Sequence, residues 1–353
     1  MSDPAIDQAV RNQVLLEQYS ENEIKEVQKF LKRTEKELLA RLRKESGTEF
    51  KKARLRSLLK DTRAILKSNL GKAKRRMLEN LDELAEISAE FEIKSLQSGI
   101  QGNIDLALPS KDQLHAAVFS KPIEGTFLNK YVNDWERSQI EAVQRTITDG
   151  FYRGQTTDQI ARRIRGTKRA NFQDGIIGGQ TNRQTTALVR TAINHTATEA
   201  RLRTMESNSD IIKGWSYVNT LDSRTSQVCA SLDTSKVYKV GEGKPPPLHF
   251  NCRTTIKYVL KEKYGIKPTR GKTTRASVGA DGSRPVPASQ SYSTWLKSQP
   301  AAFQDQALGK TRGALFRRGK LPIQKFTNSS NEVLTIKQLR QRYPLAFEEA
   351  NLD

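Results

Sequence analysis

From Ile24 to Phe91 the apolar residues return every three or four positions, and no other feature constrains the fold of this chain as strongly. Ile24, Val27, Phe30, Leu31, Leu38, Leu39 and Leu42 fall on one face of a helix. After a break at Gly47 the pattern resumes at Leu55, Leu58, Leu59, Ile65, Leu66, Leu70, Met77, Leu81, Leu84 and Phe91. The spacing predicts helix over residues 20–98, in two long amphipathic pieces that pack as a hairpin or dock on helices of another protein. At 1.5 Å rise per residue, about fifty such residues span about 75 Å. Gly71 is expected to mark a bend in the second piece.

Charge is sorted along that second piece. Lys51, Lys52, Arg54, Arg56, Lys60, Arg63, Lys67, Lys72, Lys74, Arg75 and Arg76 fill one half, and Glu79, Asp82, Glu83, Glu86, Glu90 and Glu92 the other. Such separation suits two partners of opposite charge or an antiparallel neighbour; an ordinary solvated face is the plainer alternative. Over the whole chain Lys and Arg outnumber Asp and Glu by 60 to 39, a net charge of +21. A surplus of that size repels itself unless something anionic is close, and nucleic acid is the usual partner. An acidic protein partner, or solubility alone, would also account for it. Lys51, Lys52, Arg54, Arg56, Lys72, Lys74, Arg75 and Arg76, with Lys267, Arg270 and Lys272 further on, are the candidate DNA-binding residues.

Hydrophobic residues make up 36% and aromatics 7% of the 353, lean for one compact enzyme and in keeping with exposed helix. No apolar run approaches the ~18 residues a membrane helix needs, and Met-Ser-Asp-Pro-Ala opens no signal-peptide core. Two cysteines do not make a disulfide scaffold, so the chain is expected in a reducing cytoplasm, without a membrane partner.

Along the chain, residues 99–125 carry Gly99, Gly102, Pro109, Pro122 and Gly125 and read as a linker. Helix follows from Leu128 to Thr148, and Gly154–Ile160 begins another, whose first turn Thr156 or Thr157 can cap. Gly175 to Gly179 reads as a loop, and a helix runs from Thr185 until Ser207-Asn-Ser-Asp ends it. Then the period changes to two. Ile211–Asn219, Val237–Val240 and Cys252–Leu260 read as short strands of an antiparallel sheet. Residues 263–290 read as an extended basic linker, and Ser293, Gln304–Arg318 and Leu334–Phe347 as short helical pieces. The fold class is mainly α with a small α+β domain at its centre. The segments are a helical N-terminal region 1–125, a central domain 126–262, the linker 263–290 and a helical extension 291–353.

Both cysteines lie in the central domain. Cys229, then His249-x-x-Cys252, can supply three ligands to a tetrahedral zinc, with Asp222 the nearest candidate for a fourth. Alternatively both cysteines are small buried hydrophobes on adjacent strands, and His249 bonds a loop carbonyl. A disulfide after release into an oxidising medium is a third reading. A Cys–His nucleophile pair is the enzymatic version, but no nucleophile elbow surrounds either cysteine. Asp222-x-Arg224-Thr225 has the form of a capped turn. No phosphate loop and no tight carboxylate cluster of the nuclease kind occurs.

Arg190-Thr191-Ala-Ile-Asn194 on a helix, Trp215 on the next strand, Asp222-Ser-Arg224-Thr225, Cys229, and Pro246-Pro247-Leu-His249-Phe-Asn-Cys252-Arg253 resemble the head-morphogenesis domain of tailed phages. That family of minor head proteins is named after the F protein of phage Mu. The resemblance covers residues 128–260, and the Pro-Pro-x-His-x-x-Cys-Arg end is its most specific part. Many members continue Cys-Arg-Cys; Thr254 stands at that place here and removes one ligand. The resemblance implies a non-enzymatic minor virion protein, several copies per particle, at the portal vertex inside the head. The portal protein, scaffold or major capsid protein and double-stranded DNA would be its partners, and it would need no cofactor. The rival readings are a nucleic-acid-binding module with a structural zinc, and a cysteine hydrolase or nuclease.

Overall fold

The computed structural model describes residues 4–44, 51–102, 104–264 and 274–352. They divide into two compact units, one built from residues 17–85 and 115–196, the other from 1–16, 86–114 and 197–353. Both are assembled from separated stretches of chain, unlike the contiguous segments expected from the sequence.

The first unit is helical. Helix α1 runs Pro4–Arg43 and α2 Lys52–Gly99, and each contributes residues to both units. Within the helical unit the two run antiparallel. Arg41 pairs with Asp61 at 2.8 Å, Asn69 donates to Glu37 at 2.8 Å, Arg76 pairs with Glu26 at 3.1 Å and Asn80 donates to Glu23 at 2.9 Å. Partner numbers that fall on one helix as they rise on the other define the expected hairpin. The polar pairs fix register, while Leu31, Leu38, Leu42, Leu58, Leu66 and Leu70, each at most 3% exposed, hold it together.

The helical unit also contains α3 (Lys111–Ser120) in part, α4 (Leu128–Tyr152), α5 (Thr157–Arg165) and the first half of α6 (Asn182–Ser207). A two-residue ladder, β1 (Pro122–Ile123) with β2 (Thr126–Phe127), leads into α4. Helix α4 lies antiparallel to α2: Lys74 reaches Glu136 at 2.5 Å, Gln144 donates to the Leu59 carbonyl at 3.3 Å, and Arg54 sits 5.6 Å over the Phe151 ring. Helix α6 in turn lies antiparallel to α4, with Trp135 Nε1 donating to Thr185 Oγ1 at 3.2 Å and Thr181 Oγ1 to Gln139 Oε1 at 2.7 Å. Helix α5 starts where the sequence put it. Thr156 accepts from the Gln159 amide, and Gln159 accepts from the Thr156 amide in return, a reciprocal cap.

The second unit carries the sheets. Strand β3 (Ile212–Val218) pairs antiparallel with β5 (Thr255–Leu260), Trp215 opposite Tyr258 and Tyr217 opposite Ile256. Strand β4 (Leu221–Asp222) pairs in parallel with β6 (Thr274–Gly279), which pairs antiparallel with β7 (Gly282–Pro287). The one-turn helix α7 (Gln227–Ala230) follows β4. Short helices α8 (Tyr292–Lys297), α9 (Ala301–Leu308), α10 (Lys310–Arg317), α11 (Ile336–Arg342) and α12 (Pro344–Glu349) complete it. Leu221 and Ala230 share one core with Trp295, Leu315, Phe326 and Phe347, so the C-terminal helices pack directly on β4 and on α7, which carries Cys229.

Several expectations need correction. Helix α2 passes through Gly71 unbroken, because a glycine costs only about 1 kcal/mol inside a long packed helix. Residues 99–125 contain α3, whose Leu114 and Val118 are buried. After Gly175, residues Ile176–Thr181 form a π-helical turn that runs into α6 instead of a loop. Val237–Val240 is not a strand; Tyr238 alone bridges to Trp215. Strand β5 begins at Thr255, which leaves Cys252 in the preceding turn, and Cys229 lies on α7, so the cysteines do not sit on adjacent strands. In the stretch read as an extended linker, the described part from Thr274 forms the β6–β7 hairpin. Its inward positions are Arg275 and Ser277 and its outward ones Ala276 and Val278, so the hydrophobic alternation that marks a strand is inverted. Gly309, at φ +81°, splits the helix expected over 304–318. Gly47, Lys267, Arg270 and Lys272 lie outside the described residues.

Candidate functional site

Two short stretches bring the site together. The first is β4, its turn and α7, residues 221–230; the second is the turn from Pro246 to Thr254 that leads into β5. Asp222 locks the two. Arg253 donates from both terminal nitrogens to its carboxylate, Nη1 to Oδ2 at 2.5 Å and Nη2 to Oδ1 at 2.7 Å, a bidentate pair. The Arg224 amide and the Thr225 hydroxyl donate to Oδ1 at 3.0 and 3.2 Å, closing the capped turn that Asp-x-Arg-Thr predicts. The Tyr292 hydroxyl donates to the Asp222 carbonyl at 3.0 Å. Burial pushes the Asp222 carboxyl up, but the bonds and charge of Arg253, with Arg224 and Thr225, outweigh it and hold it below the usual carboxylate range. A carboxylate so engaged is not a fourth metal ligand, which corrects that expectation.

Ser226 caps α7, accepting from the Cys229 amide at 3.2 Å, and so fixes the direction of the Cys229 side chain. In the second stretch the Cys252 amide donates to the His249 carbonyl at 3.2 Å, and Asn251 takes φ +59°, a tight turn that places His249 and Cys252 on the same side. Cys229 Sγ lies 3.6 Å from Cys252 Sγ and 3.2 Å from His249 Nε2. The three donor atoms all fall within 4.8 Å of one another. His249 Nδ1 faces the Phe250 carbonyl at 2.8 Å, which makes Nδ1 the protonated nitrogen and leaves the Nε2 lone pair toward Cys229 and the Ser226 hydroxyl, 2.8 Å away. Both cysteines are thiols rather than a disulfide, each 2% exposed. The hydrogen bond between them pushes the Cys229 thiol above its ordinary range and, together with His249, draws Cys252 below it.

The remaining motif residues support this arrangement. Trp215, 1% exposed, stacks on Tyr238 at 4.8 Å and meets Tyr217 edge-on at 5.0 Å. Gly214 is required there, because a Cβ would stand 2.0 Å from the Tyr238 carbonyl oxygen. Pro246 and Pro247 are buried and joined by a cis peptide. In the helical unit, Thr191 Oγ1 donates to the Ala187 carbonyl at 2.6 Å, and Arg190 forms an ion pair with Glu21. Sequence reasoning missed the buried pair of Arg201 with Glu92 at 2.6 Å, side chains 2% and 0% exposed. Arg201 also donates to Thr255 Oγ1 and the Ile256 carbonyl and so anchors β5 beside the site. Nothing in the sequence marks it, since Glu92 lies in a helix rich in exposed charge and Arg201 reads as an ordinary surface arginine of α6.

The candidate DNA-binding residues divide. Lys51, Lys52, Arg56, Lys72 and Arg75 are exposed. Arg76 is also exposed but pairs with Glu26, Lys74 is taken up by Glu136 and Asn133, and Arg54 lies half-buried against Phe151.

Residues 141–257, a third of the chain, match a family model described as "Phage Mu protein F like protein". The match falls inside the stretch on which the resemblance rests and includes every residue of the Cys229, His249 and Cys252 cluster. Neither the comparison with curated proteins nor that with solved structures returned a match.

Proposed function

We infer from the phage Mu F-like domain over residues 141–257 that this chain is a head-morphogenesis protein of a tailed phage, working as a minor head protein. In that role it associates with the portal vertex and contacts double-stranded DNA while the head is assembled, filled or emptied. The family match carries the reading. Its DNA-binding part is supported by the net charge of +21 and by Lys52, Arg56, Lys72 and Arg75, exposed along one helix. Its portal-binding part is supported by the long antiparallel helices, a surface suited to docking on other helices. Several copies per particle, in the head interior during and after assembly in the host, follow from the same role. Among the described residues no helix is long and apolar enough to cross a membrane.

Catalysis is not part of the proposal. The Asp222 carboxylate is held by Arg253 and so does not orient His249, and no nucleophile elbow surrounds either cysteine.

Binding to a duplex of about 30 base pairs, followed across a salt titration, tests the interaction with DNA. Affinity should fall steeply with salt. Combined Lys52→Gln, Arg56→Gln, Lys72→Gln and Arg75→Gln should flatten the slope by about 1 for each phosphate no longer neutralised. An affinity that is flat with salt, or unmoved by the four changes, removes DNA from the proposal.

A further inference from the structure

We propose that Cys229, His249 and Cys252 hold one zinc ion, and that the metal closes the long loop between α7 and β5. The cluster is an ordered one. Cys229 is aimed by the Ser226 cap, and Cys252 and His249 by the turn around Asn251. Each donor group therefore has its position set by backbone geometry that needs no metal.

The spacing fits the ion. Zn–S bonds of about 2.3 Å and Zn–N bonds of about 2.0–2.1 Å give a tetrahedron with S–S edges near 3.8 Å and S–N edges near 3.5 Å. Two of the three donor distances are 3.6 Å between the sulfurs and 3.2 Å between Cys229 Sγ and His249 Nε2, and the third lies within 4.8 Å. A sulfur pair at 3.6 Å is far too long for a disulfide but needs only a slight expansion around zinc.

The imidazole is also prepared. Zinc-binding histidines commonly donate the other ring N–H to a carbonyl or carboxylate, and His249 does so through Nδ1 to the Phe250 carbonyl. Two thiols and an imidazole select a borderline-soft ion over magnesium or calcium, and zinc is the commonest that takes a tetrahedral site of this kind. Both cysteines bind as thiolates, any protons they carry passing to solvent, and the neutral imidazole gives its Nε2 lone pair, so metal uptake releases protons. The Ser226 hydroxyl then exchanges its bond to Nε2 for one to a solvent ligand.

That solvent ligand takes the fourth position, in a small cleft that borders Cys229 and His249 and is lined also by Arg224, Ser226, Asn251 and Thr254. No carboxylate lines this cleft among the described residues, so a bound water has no general base beside it. The role is structural. Residues 231–254 form neither helix nor strand apart from the Tyr238 bridge, and a connection of that length is uncommon without an anchor. One ion bound by Cys229 at its start and by His249 and Cys252 at its end pins both ends.

The test uses the full chain without a polyhistidine tag, purified from zinc-supplemented cells without chelator. Elemental mass spectrometry should find about one zinc per chain. Chelation should lower Tm by about 5–10 °C, restored by added zinc. His249→Ala and Cys252→Ser should each lose the metal. If either variant fails to fold, the wild-type chain reloaded with cobalt still decides. A tetrahedral cobalt spectrum with thiolate charge-transfer bands supports the proposal, and their absence overturns it. Wild-type protein that takes up no stoichiometric zinc also overturns it, as does a pair of thiols that disappears without metal and returns on reduction.

Discussion

The helical unit and the sheet-bearing unit are held together in different ways. In the helical unit, leucines at three- and four-residue steps form a continuous buried stripe, and charged residues stay at the rim, where each ion pair is worth little. In the other unit, charge goes inside. Glu92 and Arg201 are buried together, Arg253 grips the buried Asp222, and buried Arg275 donates to the Asn219 carbonyl and is drawn down by burial to about 10. A helical hairpin can be written with one apolar stripe. A centre made of short strands and turns lacks such a stripe, and it orients its pieces with polar pairs that have only one good geometry.

Single deletions should therefore fall unevenly on the two units. Glu92→Ala leaves the Arg201 guanidinium buried without its counter-charge and should cost about 3–5 kcal/mol in urea denaturation. A loss below about 1 kcal/mol would erase the contrast. Arg253→Ala should cost about 3 kcal/mol and be felt in hydrogen exchange at β4 and β5. The Asp222 carboxyl is depressed in the folded state, so its contribution is complete above the unfolded pKa of about 4 and is lost as pH falls through the lower folded value.

Acid also acts on the helical unit, through a buried histidine. His195, 2% exposed, donates Nε2–H to the Val118 carbonyl at 2.9 Å, and burial pushes its pKa down to about 4. A neutral folded imidazole is protonated first in the unfolded chain. Stability is therefore complete above about pH 6.5 and falls by roughly 1.4 kcal/mol per pH unit, about 3 kcal/mol in all, as pH drops to 4. His195→Gln should remove that part of the slope. Smaller still, Thr156→Ala removes the reciprocal cap of α5 and should cost about 1 kcal/mol. The exposed charges come last. Lys52→Gln, Arg56→Gln, Lys72→Gln and Arg75→Gln should each change stability by less than about 0.5 kcal/mol while changing DNA affinity, which separates binding from folding.

The same contrast decides what could be read in advance. The hairpin of α1 and α2, the α5 cap and the Asp222 turn were legible because each follows from local spacing. The His-x-x-Cys step and Cys229 were legible as a set, and the structure brings those three together; that Asp222 belongs to Arg253 was not, since a carboxylate near a cysteine in sequence has no preferred partner until the turn is folded. Strand β6 was hidden because its inward side chains are Arg275 and Ser277. Helix α6 is buried on every side from Thr191 to Arg201, yet it carries Thr191, Asn194, His195, Glu199 and Arg201. The apolar spacing finds that helix from Thr185 onward, but a pattern that assigns polar residues to solvent does not show that these polar side chains lie inside.

Quantitative mass spectrometry of purified phage heads bears most directly on the proposed head-morphogenesis role. The account predicts the chain in full and empty heads alike, at a few copies for each portal ring, and crosslinked to portal protein and DNA. Its absence from both kinds of head would contradict the account.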